Sequence, residues 1–192
     1  ELLEEKYKEY FDSKKFTYRY KKNEGVCKAR NLGLKLANNN WIGYLDTDNE
    51  MIPTFLEEFK NAIETNKKVK CFYAQICYIE SGKIIGEPFN FIQLCYRNHI
   101  DLGVFVHHKS LVKRYGNFDV NLKRLVDWDL IIRYTKYNTP YFIEKILLNY
   151  SASDNYDRIT NTEQFQPAMD YIVKKLEKEA KKNSFLENIF SI

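Results

Sequence analysis

The sequence predicts an α/β domain: a mixed sheet with helices layered against it. Three observations carry that prediction. Short apolar runs of strand length, such as Trp41–Leu45 and Gly103–His108, alternate with longer stretches whose apolar residues recur every three or four positions. At 192 residues the chain can bury one core of its own. Its 44% hydrophobic and 29% charged content is that of an ordinary globular protein rather than a disordered or fibrous one.

Taken in order, Leu2, Leu3, Tyr7, Tyr10 and Phe11 fall at helical spacing and predict a helix over residues 1 to 12. The stretch KFTYRY then alternates, with Phe16, Tyr18 and Tyr20 on one face of a predicted half-buried strand. Gly25 interrupts the chain, and Val26, Ala29, Gly33, Leu36 and Ala37 form the stripe of a second helix that stops at three asparagines, Asn38 to Asn40. Trp41–Leu45 is too apolar to be exposed on either side, which predicts a central, parallel strand.

Pro53 suits a first helical turn, and Phe55, Leu56, Phe59, Ala62 and Ile63 mark the inner face of the helix that follows. Residues 71 to 86 read as a strand, a Ser81-Gly82 turn and a return strand. Gly103–His108 is a further strand, followed by a short helix around Leu111–Tyr115, and DWDLIIRYTKY is helical again. His107 and His108 close that strand, as core or rim histidines or as neighbours of a site. From Glu163 a lysine-rich helix carries Ile172, Val173 and Leu176 on one side. Packing on the domain and resting on anionic lipid are both open for it. The expected division is a domain over residues 1 to 162 and a basic amphipathic segment over 163 to 192.

The four cysteines, Cys27, Cys71, Cys77 and Cys95, show neither C-x-x-C nor zinc spacing and read as reduced thiols, pointing to a cytoplasmic location. If the last helix lies on lipid, that location is the inner face of a membrane. No apolar stretch approaches the ~18 residues of a membrane span. The net charge of +4 is mild, and its cations are scattered among 26 acids without a basic stripe, which argues against nucleic acid as a partner.

The chemistry-bearing feature is Asp46-Thr47-Asp48 at the end of the Trp41–Leu45 run. On an extended segment these two carboxylates would point the same way, and their repulsion would call for a hard cation, Mg²⁺ or Mn²⁺. A helix cap by Asp48 or Asn49, or a chance pair, is the alternative. An EF-hand loop is excluded, because Met51 holds the required glycine position and Pro53 falls inside the loop. Asp127, ahead of Trp128 and Asp129, reads first as an N-cap or first-turn acid, with a general base as the alternative.

Three stretches resemble the family 2 glycosyltransferases of the GT-A fold. They are EGVCKARNLGLKLANNNWIGYLDTDNEMIPTFLEEF, GNFDVNLKRLVDWDLIIRY and LLNYSASDNYDRIT, in that order, within residues 20 to 160. The resemblance implies a GT-A-like, Rossmann-related sheet and an inverting transfer from a nucleotide-sugar donor to a glycan or lipid-linked hydroxyl acceptor, as in surface polysaccharide synthesis. It implies Asp46 and Asp48 as ligands of Mn²⁺ or Mg²⁺, and Asp127 as the catalytic base. Arg30, Asn31 and Arg158 would lie near the donor diphosphate, with Trp128 and Asp129 on the acceptor side. Val126 departs from the glutamate many members carry there. The family's opening strands, with their nucleobase-reading acid, have no counterpart, since Glu1 already begins the following helix. The expectation is therefore a sheet lacking its first strands, weak donor binding by this stretch alone, and strand edges through which copies could associate.

Overall fold

The computed structural model describes residues 5–13, 16–152 and 163–180. In order the elements are α1 (Lys8–Asp12), α2 (Val26–Leu36), β1 (Trp41–Ile42), β2 (Glu50–Met51), α3 (Phe55–Thr65), β3 (Cys71–Tyr78) and β4 (Ile84–Ile85). They continue with α4 (Phe91–Tyr96), a 3-10 turn (Leu102–Val104), β5 (Phe105–His108), α5 (Lys109–Tyr115), α6 (Val126–Thr135), β6 (Tyr141–Tyr150) and α7 (Phe165–Ala180).

The strands form one mixed sheet in the order β1-β5-β3-β6-β2, with β4 pairing β3 beyond the end of β5. Only β3 and β6 are parallel neighbours; the other pairs are antiparallel. Alternation along β3 divides the core. Phe72, Ala74 and Ile76 face Phe55 and Phe59 of α3, while Cys71 and Tyr73 face the layer built from α2, α4, α5, α6 and α7. The Ser81-Gly82 turn is present, and Gly82 at φ 66° occupies the left-handed region that glycine enters without strain.

Three expectations are corrected. β1 is short, ends the sheet and is antiparallel to β5, and nothing among the described residues pairs with its outer edge. Its apolar neighbours instead border an open groove of about 630 Å³ lined by Trp41, Leu45, Met51, Leu56 and Phe59. Secondly, residues 16–20 form no strand: Phe16, Tyr18 and Tyr20 are exposed. Alternation specifies a strand only where a sheet edge accepts its backbone hydrogen bonds.

Thirdly, the inner face of α2 is only in part the predicted stripe: Val26 and Ala37 pack against the core, but the centre of the face is different. Cys27 and Leu34 are buried while Ala29 and Gly33 are exposed, because the face that turns inward carries Arg30 and Asn31 between them. Of the two placements open for the last helix, the first is found: the apolar side of α7 packs into the core through Ile172 and Leu176, with Ala168, Met169 and Tyr171 beside them. No helix among the described residues is long and apolar enough to cross a membrane.

Candidate active site

The site gathers at the end of the sheet where β1 runs out and β5 begins. Because these strands are antiparallel, the segment leaving β1 toward Asp46 and the segment entering β5 from Asp101 lie at the same end. They stay close, since a Cβ on Gly43 would sit 3.6 Å from Val106 Cγ2.

The two aspartates are not presented by an extended chain. The Asn49 N–H donates to the Asp46 carbonyl at 3.1 Å, closing a turn with Thr47 and Asp48 at its corners. Asn49 also anchors that turn to the end of β6, its Oδ1 accepting the Ser151 N–H at 3.2 Å. The alternating geometry of a strand therefore does not apply; a pinned turn, in which Asp and Asn are favoured residues, carries the carboxylates.

Arg30 reaches across from α2. Its Nη2 donates to Asp46 Oδ1 at 2.8 Å, and its guanidinium lies 5.5 Å from the centre of the Phe118 ring. Arg30, expected near the diphosphate, thus holds a carboxylate of the turn. Asn31 has a different task. Its Nδ2 donates to the Phe118 carbonyl and its Oδ1 accepts the Phe118 N–H, both at 2.9 Å. That two-point clasp binds the Asn117–Asp119 turn to α2 and commits the amide that was expected beside the diphosphate.

Asp127 lies in the first turn of α6, directly after Leu125, the one non-glycine residue among those described with positive φ (59°). A left-handed leucine is strained, by roughly 1 kcal/mol, and such strain collects at functional sites. Asn98 Nδ2 donates to Asp127 Oδ2 at 3.4 Å. Burial raises the proton affinity of the Asp127 carboxyl; the N–H of Trp128 and the charge of Arg30 oppose that shift, and Asp46 reinforces it.

Trp128 is buried, with its indole N–H donating to the Leu94 carbonyl at 2.7 Å, so it packs rather than stacks on a ligand. Asp129 is bound by Arg133 and Lys175 and steadies α6. His107 is a core histidine hydrogen-bonded to Tyr44 Oη at 2.8 Å, and His108 caps α5. Arg158 lies outside the described residues.

Sequence reasoning missed Asn98 and Asp101. Asp101 Oδ1 accepts the Gly103 N–H at 2.8 Å, and burial pushes its carboxyl up to about 7, opposed by that hydrogen bond and by Arg30 and reinforced by Asp127 and Asp46. No periodicity marks either residue; only the antiparallel register delivers them here. Among the described residues no group of three or more His, Cys, Asp or Glu is arranged to hold a metal, so Asp46 and Asp48 form at most a two-carboxylate candidate.

The architecture is that of the GT-A glycosyltransferases. The chain aligns with the crystal structure of S. aureus TarS 1–349 in complex with UDP-GlcNAc at a TM-score of 0.67 and 16% identity, covering 92% of this chain and 54% of that one. The model of glycosyl transferase family 2 matches residues 1–114, and the chain belongs to that family. Relatives include a glycosyltransferase of Haemophilus influenzae, 22% identical across 78% of this chain and 55% of its own length. A Methanocaldococcus jannaschii glycosyltransferase is 26% identical across 70% of this chain and 50% of its own. Chondroitin synthase of Escherichia coli is 24% identical across 67% of this chain and 19% of its own. The chain thus spans about half the length of the first relatives it matches.

Proposed function

We propose that this domain transfers a sugar from a nucleoside diphosphate to a hydroxyl acceptor, with Asp127 as general base. The observation that carries the reading is the meeting of Asp127, Arg30 and Asp46 at one end of a family 2 sheet. The acceptor hydroxyl gives its proton to Asp127 as its oxygen bonds to the anomeric carbon. The bond from that carbon to the diphosphate breaks, the electron pair leaves with the diphosphate, and the sugar is inverted. Arg30, already engaged with a carboxylate, supplies positive charge beside the leaving group.

Asp46 and Asp48 offer hard oxygen ligands on an accessible turn, a donor set that suits Mg²⁺ or Mn²⁺, which keep waters and take further oxygens from phosphate. Bound there, the cation would neutralise charge on the departing diphosphate. UDP-GlcNAc, the ligand of the TarS complex, is the first donor to try. In the native gene product we expect UDP release from UDP-GlcNAc or a related donor, abolished by EDTA and restored by Mn²⁺. A panel of nucleoside diphosphate sugars that yields no metal-dependent turnover would falsify the reading.

A further inference from the structure

Asp101 caps the turn that leads into β5. Its Oδ1 is occupied by the Gly103 N–H, and a Cβ on Gly103 would press on Asp101 Oδ1 at 3.0 Å and on Leu148 Cδ2 at 2.9 Å. The other oxygen, Oδ2, has no hydrogen-bond partner among the described residues and is not sealed from solvent. Three residues earlier on the same loop, Asn98 makes a long contact to Asp127, at 3.4 Å.

We propose that Asp101 is an acceptor-positioning residue: its free Oδ2 takes a hydrogen bond from a second hydroxyl of the acceptor sugar, next to the hydroxyl that Asp127 deprotonates. The inference rests on the transferase reading above. Two neighbouring hydroxyls of a pyranose gripped by two carboxylates fix the attacking oxygen more tightly than one contact does. Burial makes an ionised Asp101 costly with a single donor, so a second donor from the ligand answers an unmet need. A metal role is not supported, because Asp101 joins Asp46 and Asp48 in no arrangement of three ligands. A purely structural role uses only Oδ1.

Asp101→Asn separates these roles, because asparagine keeps the oxygen that accepts from Gly103 and is an equally good cap. The assay is UDP release from UDP-GlcNAc with Mn²⁺ by the native gene product, in water and with methyl glycosides of glucose, galactose and N-acetylglucosamine. We expect some glycoside to accelerate release. For that glycoside Asp101→Asn should raise KM about tenfold or more, the scale of a lost hydrogen bond to a charge. Release to water should change by a clearly smaller factor than transfer to that glycoside, and the melting temperature should be unchanged. Three results overturn the inference while leaving the transferase reading intact. They are equal loss with water and with glycoside, no change in either, or a native protein that releases UDP yet ignores every glycoside. Complete absence of UDP release by the native protein removes the transferase reading and this inference with it.

Discussion

Asp127 and Asp129 stand two residues apart on one helix and live in opposite electrostatic worlds. Positions i and i+2 of a helix point about 200° apart, so α6 turns one carboxylate to the sheet end and the other to α5 and α7. Asp129 accepts Arg133 Nε at 2.9 Å and Nη2 at 2.8 Å, and Lys175 Nζ at 2.5 Å. Lys175 also binds Asp119 at 2.9 Å. Burial works against the Asp119 charge, yet Lys175, the Asn121 N–H and Tyr171 hold its carboxyl down at about 2. Among the described residues Asp127 has a single, long side-chain donor, Asn98, and burial raises its proton affinity. One carboxylate is saturated and therefore structural; the other is left underpaired, as a group must be if it is to take a proton.

The sharpest way to break this contrast is Asp127→Asn. The amide cannot accept a proton, so transfer should fall about 10²- to 10⁴-fold, the usual worth of a general base. Stability should hold or rise, since the substitution removes a charge from a desolvated position. Steady-state UDP release and a thermal melt on the same sample test both halves. An unstable variant, or one that keeps its rate, would erase the distinction between the two aspartates.

Asp129→Asn should do the reverse. It strands Arg133 and Lys175 in partly buried surroundings, and breaking such a pair costs about 3 kcal/mol, the low end for buried pairs because Lys175 keeps Asp119 and some solvent. Denaturant unfolding should show the loss, with activity per folded molecule nearly intact. A variant as stable as the native chain would mean that the network is ornamental.

How much of this was legible in the sequence depended on whether hydrophobicity or hydrogen bonding dictated each placement. The hairpin at Ser81-Gly82 and most of the inner face of α3 (Phe55, Phe59, Ala62 and Ile63) followed from periodicity, because apolar side chains alone decide them, although Leu56, expected on that face, is exposed. The face of α2 did not. Arg30 and Asn31 turn inward to reach Asp46 and Phe118, and no hydropathy pattern announces a polar residue drawn in by a distant partner. The Asp46–Asn49 turn was misread as extended for a similar reason, since its anchor, Ser151, is a hundred residues away in sequence. Asp127 was legible through motif resemblance, whereas Asp101 needed the register of β1 on β5.

A third buried group sharpens the contrast between saturated and underpaired sites. His107 is fully buried, its Nε2 paired with the Tyr44 hydroxyl and its ring packed among Tyr44, Phe105 and Tyr134. Burial, with His108 nearby, lowers its pKa to about 4 from an ordinary 6.5. The native state then binds fewer protons than the unfolded chain between those values, so stability is full above pH 6.5 and falls as pH drops toward 4. The loss should approach roughly 3 kcal/mol at the acid end of that window. Asp101 pulls the opposite way, because a carboxyl raised to about 7 makes the native state bind more protons over much of the same range. The raw stability profile therefore mixes the two, and the measurement must be a difference. Native minus His107→Gln unfolding free energy, taken from pH 8 to pH 4, should be flat to about 6.5 and then decline. A difference that stays level throughout would mean that His107 protonates freely in the native core, and that its pairing with Tyr44 is no more binding than the contact Asn98 makes to Asp127.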